Sequence, residues 1–319
     1  MKKFISYGKN VYDHAEINAV IKTLKNSTQM GKSVSMFEKK IASMFGKKYG
    51  LMVNSGSSAL VLAFKSLNLK KGSEVITPCL NFGTAVSSIM LNDLVPVLVD
   101  VDIRTLQINP ELIEKKITKK TKAIMPVHLT GRMCSMDKIM KLSRKYNIPV
   151  IEDCAQSIMS KYKGKMSGSW GHIGCFSAHP LKNLNAIGDG GYLTTDNRKI
   201  YNKIKNLRSH GMEESRDNVK SFGYVSRMDT LQAAVLNFRL KSLKKIIKLR
   251  RKNSKIYLEN LNLKNIFFPK EKREEFNTYH TFVVQVDKRD KLKKFLKKNG
   301  VDTAIHYPIP IHLQSASKI

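Results

Sequence analysis

Acidic residues are scarce in this chain: 25 Asp and Glu face 57 Lys and Arg, leaving a formal net charge of +32 over 319 residues. A field of that sign draws polyanions, so nucleic acid must be weighed as a partner. The lysines are nevertheless spread along the chain, at 115–122, 241–252 and 291–298 among other places, on stretches that read as solvent faces of helices. No aromatic RNA-binding signature, finger spacing or recognition helix accompanies them. General lysine enrichment of an exposed surface is the first reading, and steering of a small anionic substrate is the second.

Cysteine is also rare, and Cys79, Cys134, Cys154 and Cys175 lack the close paired spacing of a zinc site or redox motif. They are read as reduced packing residues. The 8 histidines are dispersed, without a metalloprotease pairing on a helix, so no metal is expected. There is no run of eighteen apolar residues, and Met1 to Asn10 lack the apolar core of a secretory signal. With 42% hydrophobic residues the chain should be globular, and a soluble cytoplasmic protein with no membrane partner is expected. Internal repeats and low-complexity linkers are missing too.

What is present is an alternation of short apolar runs with longer amphipathic ones, the pattern of strands feeding helices around a parallel sheet. Strands are expected at Gly50 to Val53, Glu74 to Thr77, Pro96 to Asp100, Ala123 to Val127 and Val150 to Glu152, then at Ile173 to Ala178 and Gly191 to Thr195. Helices should begin near Ser57, Thr84, Pro110 and Met136. Arg227 to Leu258 reads as one long helix with room for a break, since Met228, Leu231, Ala234, Val235 and Phe238 recur at helical spacing. A strand at Thr281 to Val286, a basic helix near Asp290 to Lys298 and a strand at Asp302 to Tyr307 suggest a smaller α/β domain. The division expected is 1–240 for a large domain and 241–319 for a small one. The small one looks incomplete, because His312 to Ile319 closes without a finished element.

Ligands of open α/β sheets bind beyond the carboxyl ends of the strands. Asn54 to Ser58, Pro78 to Phe82, His128 to Arg132 and Asp153 to Gln156 all follow expected strands and could meet there. Asn54-Ser55-Gly56-Ser57-Ser58 ahead of a helix suits a phosphate cradle, because free N–H groups and the helix dipole favour an anion. It suits an ordinary N-cap equally well. Asp153 ends a buried strand, where a lone carboxylate needs a positive partner such as a protonated pyridine nitrogen; it could also simply cap the next turn. Lys182 lies in the turn His179-Pro180-Leu181-Lys182-Asn183-Leu184, ahead of Gly188 to Gly191. A confined lysine can have its pKa lowered and form an imine, although taken alone a lysine in so basic a chain reads as exposed.

The order of these motifs, with Val127 to Gly131 and Ser226-Arg227-Met228-Asp229, resembles the DegT/DnrJ/EryC1/StrS family of sugar aminotransferases over nearly the whole chain, from Tyr7-Gly8 to His306-Tyr307-Pro308. The resemblance implies the fold-type I architecture of pyridoxal-phosphate enzymes: a large domain with a mainly parallel central sheet flanked by helices, plus a smaller C-terminal α/β domain. It implies that Lys182 forms the imine with pyridoxal 5'-phosphate and that Asp153 pairs with the pyridinium nitrogen. Gln156 would stand near the phenolic oxygen, Gly56, Ser57 and Ser177 would hold the phosphate, and Phe82 would stack on the ring. The implied reaction moves an amino group, with glutamate as donor, onto a nucleotide-linked keto sugar for surface polysaccharide or related glycan synthesis. A homodimer is implied as well.

Dehydrating relatives carry histidine where this chain has Lys182, which sets them aside. His128, His179 and His306 are read as hydrogen-bonding or packing residues. The sequence departs from the family pattern at Val225, where many relatives have an Asn that reaches the partner subunit's cofactor phosphate. It departs again at Ala178 for an aromatic residue and at Asn185 for a glycine. Two other classes stay open: a catalytically inactive or regulatory relative that binds cofactor or sugar nucleotide, and a polyanion-binding basic protein.

Overall fold

The computed structural model describes residues 4–8, 11–26, 30–213, 217, 219–261 and 263–318. Ten helices among them run α1 (His14–Leu24), α2 (Lys32–Met44), α3 (Gly56–Ser66), α4 (Thr84–Met90), α5 (Pro110–Lys115), α6 (Met136–Tyr146), α7 (Arg198–Leu207), α8 (Thr230–Arg239), α9 (Leu243–Asn260) and α10 (Arg289–Lys298). The strands are β1 (Tyr49–Val53), β2 (Glu74–Pro78), β3 (Val95–Val99), β4 (Thr121–Ile124), β5 (Ile151–Asp153), β6 (Lys161–Tyr162), β7 (Lys165–Met166), β8 (Ile173–Ser177), β9 (Gly191–Thr195) and β10 (Glu275–Phe276).

Two ladders, β3-β2-β4 and β1-β9-β8-β5, meet through parallel bridges from Ile124 to Val150 and from Val127 to Asp153. The resulting layer has the order β3-β2-β4-β5-β8-β9-β1, and within it β9 runs antiparallel to both neighbours while the other pairings are parallel. This is the mainly parallel sheet expected. Side chains of a strand alternate between faces, and the core follows suit. Leu51, Val75, Ala123, Ile151, Cys175 and Leu193 join one buried cluster. Their chain neighbours point the other way: Ile76, Ile124 and Val150 into a second cluster, Met52, Phe176 and Tyr192 into a third. In the third, Phe176 stacks on Tyr192 at 4.8 Å between centroids and Phe37 of α2 meets the same ring edge-on at 5.4 Å. Both faces are therefore covered, as a parallel sheet requires.

The strands of the large sheet fall within two or three residues of their expected bounds, but the small-domain strands do not form. Residues 281–286 make only an isolated bridge between Gln285 and Phe267, and residues 302–307 form no strand, the nearest pairing being a bridge from Val301 to Ile5. A strand needs a ladder, and neither segment finds a neighbouring strand among the described residues. The long helix expected across 227–258 is two helices, broken where Lys241 and Ser242 hydrogen-bond three residues back, to Phe238 and Arg239. Leu243 and Ile247 of α9 pack into the same cluster as Met52, Phe176 and Tyr192. Residues 311–313 and 315–317 form short 3-10 turns, and Ile319 lies outside the described residues.

One buried ion pair fixes the periphery to the centre. Arg239, at the end of α8, pairs with Glu16 of α1, stands 5.0 Å over the Tyr12 ring, and donates to the carbonyls of Val11 and Asn185.

Candidate active site

The carboxyl ends of β1, β5 and β8 bring the sequence motifs together. Ser55 caps α3, its Oγ accepting the Ser58 N–H at 3.0 Å, which leaves the first N–H groups of the helix free for an anion. A Cβ on Gly56 would lie 2.7 Å from Cβ of Ser177, and one on Gly191 would lie 2.3 Å from the Ser55 carbonyl oxygen. The turn before α3 thus presses against the ends of β8 and β9 so closely that only glycine fits. Ser57 is exposed at the mouth and Ser177 is half-buried, its Oγ accepting the His179 N–H at 3.3 Å. Gly56, Ser57 and Ser177 are therefore grouped around one helix terminus.

Asp153 ends β5 at 7% exposure, and its Oδ1 accepts the Ala155 N–H at 3.0 Å. Burial raises its pKa above the ordinary aspartate value, while that N–H and the charge of Lys182 hold it down in part. Burial likewise lowers the Lys182 pKa, and Asp153 opposes that shift. Acid and amine thus act on one another electrostatically in a poorly solvated place. The Lys182 turn is closed by Ala186 N–H donating to Ala178 O at 2.8 Å and by Lys182 N–H donating to His179 O at 2.8 Å. Gln232 of α8 accepts the Ile187 and Gly188 N–H groups from outside, at 2.9 and 3.2 Å.

Gln156 accepts the Thr130 N–H on Oε1 at 2.7 Å and donates from Nε2 to the Tyr307 hydroxyl at 3.2 Å. Tyr307 in turn lies 6.0 Å from the Phe82 ring, which is 64% exposed at the rim. Burial pushes the Tyr307 hydroxyl up to about 12.

His128 and Arg132 turn away from this cluster. His128 is fully buried and its Nδ1 accepts the Cys134 N–H at 3.1 Å, so Nε2 carries the hydrogen that Glu152 receives at 3.0 Å. Glu152 also takes the N–H groups of Gly168, Trp170 and Gly171 at 2.9, 2.8 and 2.6 Å. Ligand atoms of His128, Glu152 and Cys154 lie within 4.8 Å of one another, a spacing that could suit a metal. Both carboxylate oxygens are already engaged by N–H donors, however, so the cluster reads as a structural knot behind Asp153. Arg132 pairs with Glu275 at 2.9 Å, tying the sheet to β10.

A family model for DegT/DnrJ/EryC1/StrS aminotransferases matches residues 10–318. The chain belongs to that family. It is 40% identical over 287 residues to a dTDP-3-amino-3,6-dideoxy-alpha-D-galactopyranose transaminase of Aneurinibacillus thermoaerophilus, covering 90% of this chain and 79% of the relative. It is 36% identical over 304 residues to a pleiotropic regulatory protein of Geobacillus stearothermophilus, covering 94% and 82%. Among solved structures it is similar to DesV of S. venezuelae in complex with a ketimine intermediate, with 31% identity, a TM-score of 0.92, and coverage of 95% and 82%.

Within this DegT-family aminotransferase the three departures from the family pattern take different forms. Ala178 is fully buried where a ring is common, and Val225 is half-exposed. Asn185 has acquired a task, donating from Nδ2 to the Pro180 carbonyl at 2.6 Å across the Lys182 turn.

Residues to which the sequence assigned no place in the site also stand near it. Burial, with the positive charge of Lys182 and Arg250, holds His280 well below the ordinary histidine value. Tyr7 meets His306 with its hydroxyl 3.3 Å from Nε2. These side chains come from far apart in the chain, so spacing could not group them.

Proposed function

We propose that this aminotransferase moves an amino group from glutamate to a nucleotide-linked keto sugar, with pyridoxal 5'-phosphate held between α3, β5 and the Lys182 turn. The observation that carries the reading is a half-buried amine, Lys182, and a buried carboxylate, Asp153, that act on one another electrostatically at the strand ends where a capped helix N-terminus also opens. The residues fit the cofactor: Asp153 is buried, with no cation hydrogen-bonded to it among the described residues, and the Gly56 cradle is one that a Cβ would fill. When bound, the cofactor supplies an electron sink for charge developing at the substrate carbon.

The chain's own residues do the remainder. Lys182 would hold the cofactor covalently and would move the proton at the carbon that bears nitrogen; burial keeps a larger share of its Nζ uncharged and able to accept that proton. Asp153 would keep the ring nitrogen protonated through its charge. Gly56, Ser57 and Ser177 would bind the phosphate with N–H and hydroxyl groups, Gln156 would serve the phenolic oxygen, and Phe82 would stack on the ring. The dTDP-sugar relative supports the sugar-nucleotide substrate, and the basic character of the chain favours such an anion.

We further propose a homodimer. Ile17, Ile21 and Leu24 are exposed along one stripe of α1, and Phe222, Tyr224 and Val225 are exposed together, Phe222 at 94%. Apolar patches of this kind mark association surfaces.

The test is borohydride reduction of the cofactor-loaded protein followed by peptide mapping, with the adduct expected on Lys182. Conversion of the absorption band by glutamate in a single turnover is expected next. The regulatory relative keeps a second reading alive, cofactor binding without turnover, and a band that glutamate leaves unchanged would select it.

A further inference from the structure

The turn that bears Lys182 leaves the core and returns to it between β8 and β9. Ala178, Leu184 and Ala186 are buried in the cluster that holds Phe176 and Tyr192, whereas His179 and Leu181 are exposed and Pro180 is half-buried. The turn therefore has a fixed base and a raised arch, and Lys182 stands on the arch. The base is tied down from outside: Arg239 Nη1 donates to the Asn185 carbonyl at 3.2 Å, and Gln232 accepts from Ile187 and Gly188.

Inside the arch the bonds are local. The Leu181 and Lys182 N–H groups both return to His179, one to its Nδ1 at 3.2 Å and the other to its carbonyl at 2.8 Å. Such bonds shape the arch but do not tie it to the base. A side chain does that: Asn185 Nδ2 donates to the Pro180 carbonyl at 2.6 Å, five positions back in sequence. Proline has no N–H, so its carbonyl is the backbone group by which Pro180 can be held. A glycine at 185, the residue common in the family pattern, offers no donor there and frees the backbone as well.

We infer that Asn185 is a positioning residue for Lys182, holding the arch so that the amine swings from one fixed point. The inference rests on the proposed role of Lys182 and adds what sets its reach. With the amide on the base and its acceptor on the arch, a ring closes around Lys182 and removes positions the turn would otherwise sample. Reacting groups are sensitive to such placement, since a displacement of about 1 Å can cost about 100-fold in rate. Acting through the turn, Asn185 governs how fast the proton moves and leaves the grip on the amino donor unchanged.

Two variants test it: Asn185→Ala, which deletes the donor, and Asn185→Gln, which keeps the amide on a longer arm. In the cofactor-free protein, hydrogen exchange read by mass spectrometry should show the Leu181 and Lys182 amides exchanging about 5- to 10-fold faster in Asn185→Ala, the loss expected of one hydrogen bond. Attachment of pyridoxal 5'-phosphate, followed by stopped-flow absorbance, should slow by a similar factor. In the loaded protein, single-turnover conversion at saturating glutamate should slow about 5- to 10-fold, with the half-saturating concentration within about twofold of wild type. Deuterium on the carbon that bears nitrogen should slow the variant more than the wild type, because the proton step has become limiting. Asn185→Gln should recover most of each loss.

Unchanged exchange and attachment in Asn185→Ala would overturn the inference. So would a loss expressed only as a need for more glutamate, which would put Asn185 in the substrate site. A lower melting temperature with losses that Asn185→Gln does not recover would also overturn it, making the residue a general brace of the fold. If glutamate fails to convert the wild-type protein, the proposed function fails on its own, and hydrogen exchange with cofactor attachment still decides Asn185.

Discussion

Nε2 of His128 donates to Glu152 at 3.0 Å, immediately behind the carboxylate of Asp153. Both partners are fully buried, and Glu152 gathers three backbone N–H groups besides. The pair therefore joins the end of β4 and β5 to the loop between β7 and β8.

Glu152→Ala should accordingly lower unfolding free energy by about 3–5 kcal/mol, because several buried donors lose their acceptor at once. Urea unfolding followed by circular dichroism checks it. A loss below about 1 kcal/mol, the size of one ordinary hydrogen bond, would mean water replaces the carboxylate.

The reactivity of Lys182 should depend on pH in a signed way. Burial favours the uncharged amine, so the rate of reconstitution with pyridoxal 5'-phosphate should rise with pH and level off below 10.5, the ordinary lysine value. Asp153 pulls the lysine the other way, so in Asp153→Asn the plateau should be reached at lower pH still. Stopped-flow absorbance over a pH series measures both. A plateau that moves upward in the variant would contradict the pairing.

Gly56→Ala should weaken phosphate binding and destabilise the fold by about 1–3 kcal/mol, as overpacking does. Its Cβ would press on Ser177, 2.7 Å away. Cofactor retention on gel filtration and the melting temperature are the measurements, and unchanged values for both would show that β8 yields.

Phe222→Asp should shift the protein from dimer towards monomer in sedimentation velocity, since it places charge in the exposed apolar patch. Unaltered sedimentation would move the dimer surface elsewhere.

The large sheet was legible because its strands are apolar on both faces and their ends are punctuated by Gly, Asp and Asn, so that Gly191 to Thr195 was read to the residue. The grouping of Gly56 with Ser177 and of Asp153 with Lys182 followed from motif order. α1, α2 and α7 passed unread, although Asp13 and Glu16 form a capping box and Ile200, Ile204 and Leu207 recur at helical spacing along α7. The segments at 281–286 and 302–307 look like strands by composition, yet strand formation depends on a neighbour that composition does not reveal. Glu152 was passed over for the same kind of reason: nothing in its local sequence announces the N–H groups that reach it from the loop before β8. Arg250, His280 and Tyr7 became neighbours only through tertiary packing.

The bonds of Arg239 mean that the leading segment of the chain and the loop bearing the reactive amine share a single rivet. Val11 and Asn185, 174 positions apart in sequence, hang from the same guanidinium. A disturbance that reaches α1, whether from proteolytic trimming or from contact with another molecule, would be transmitted to the posture of Lys182 without any change in the pocket itself.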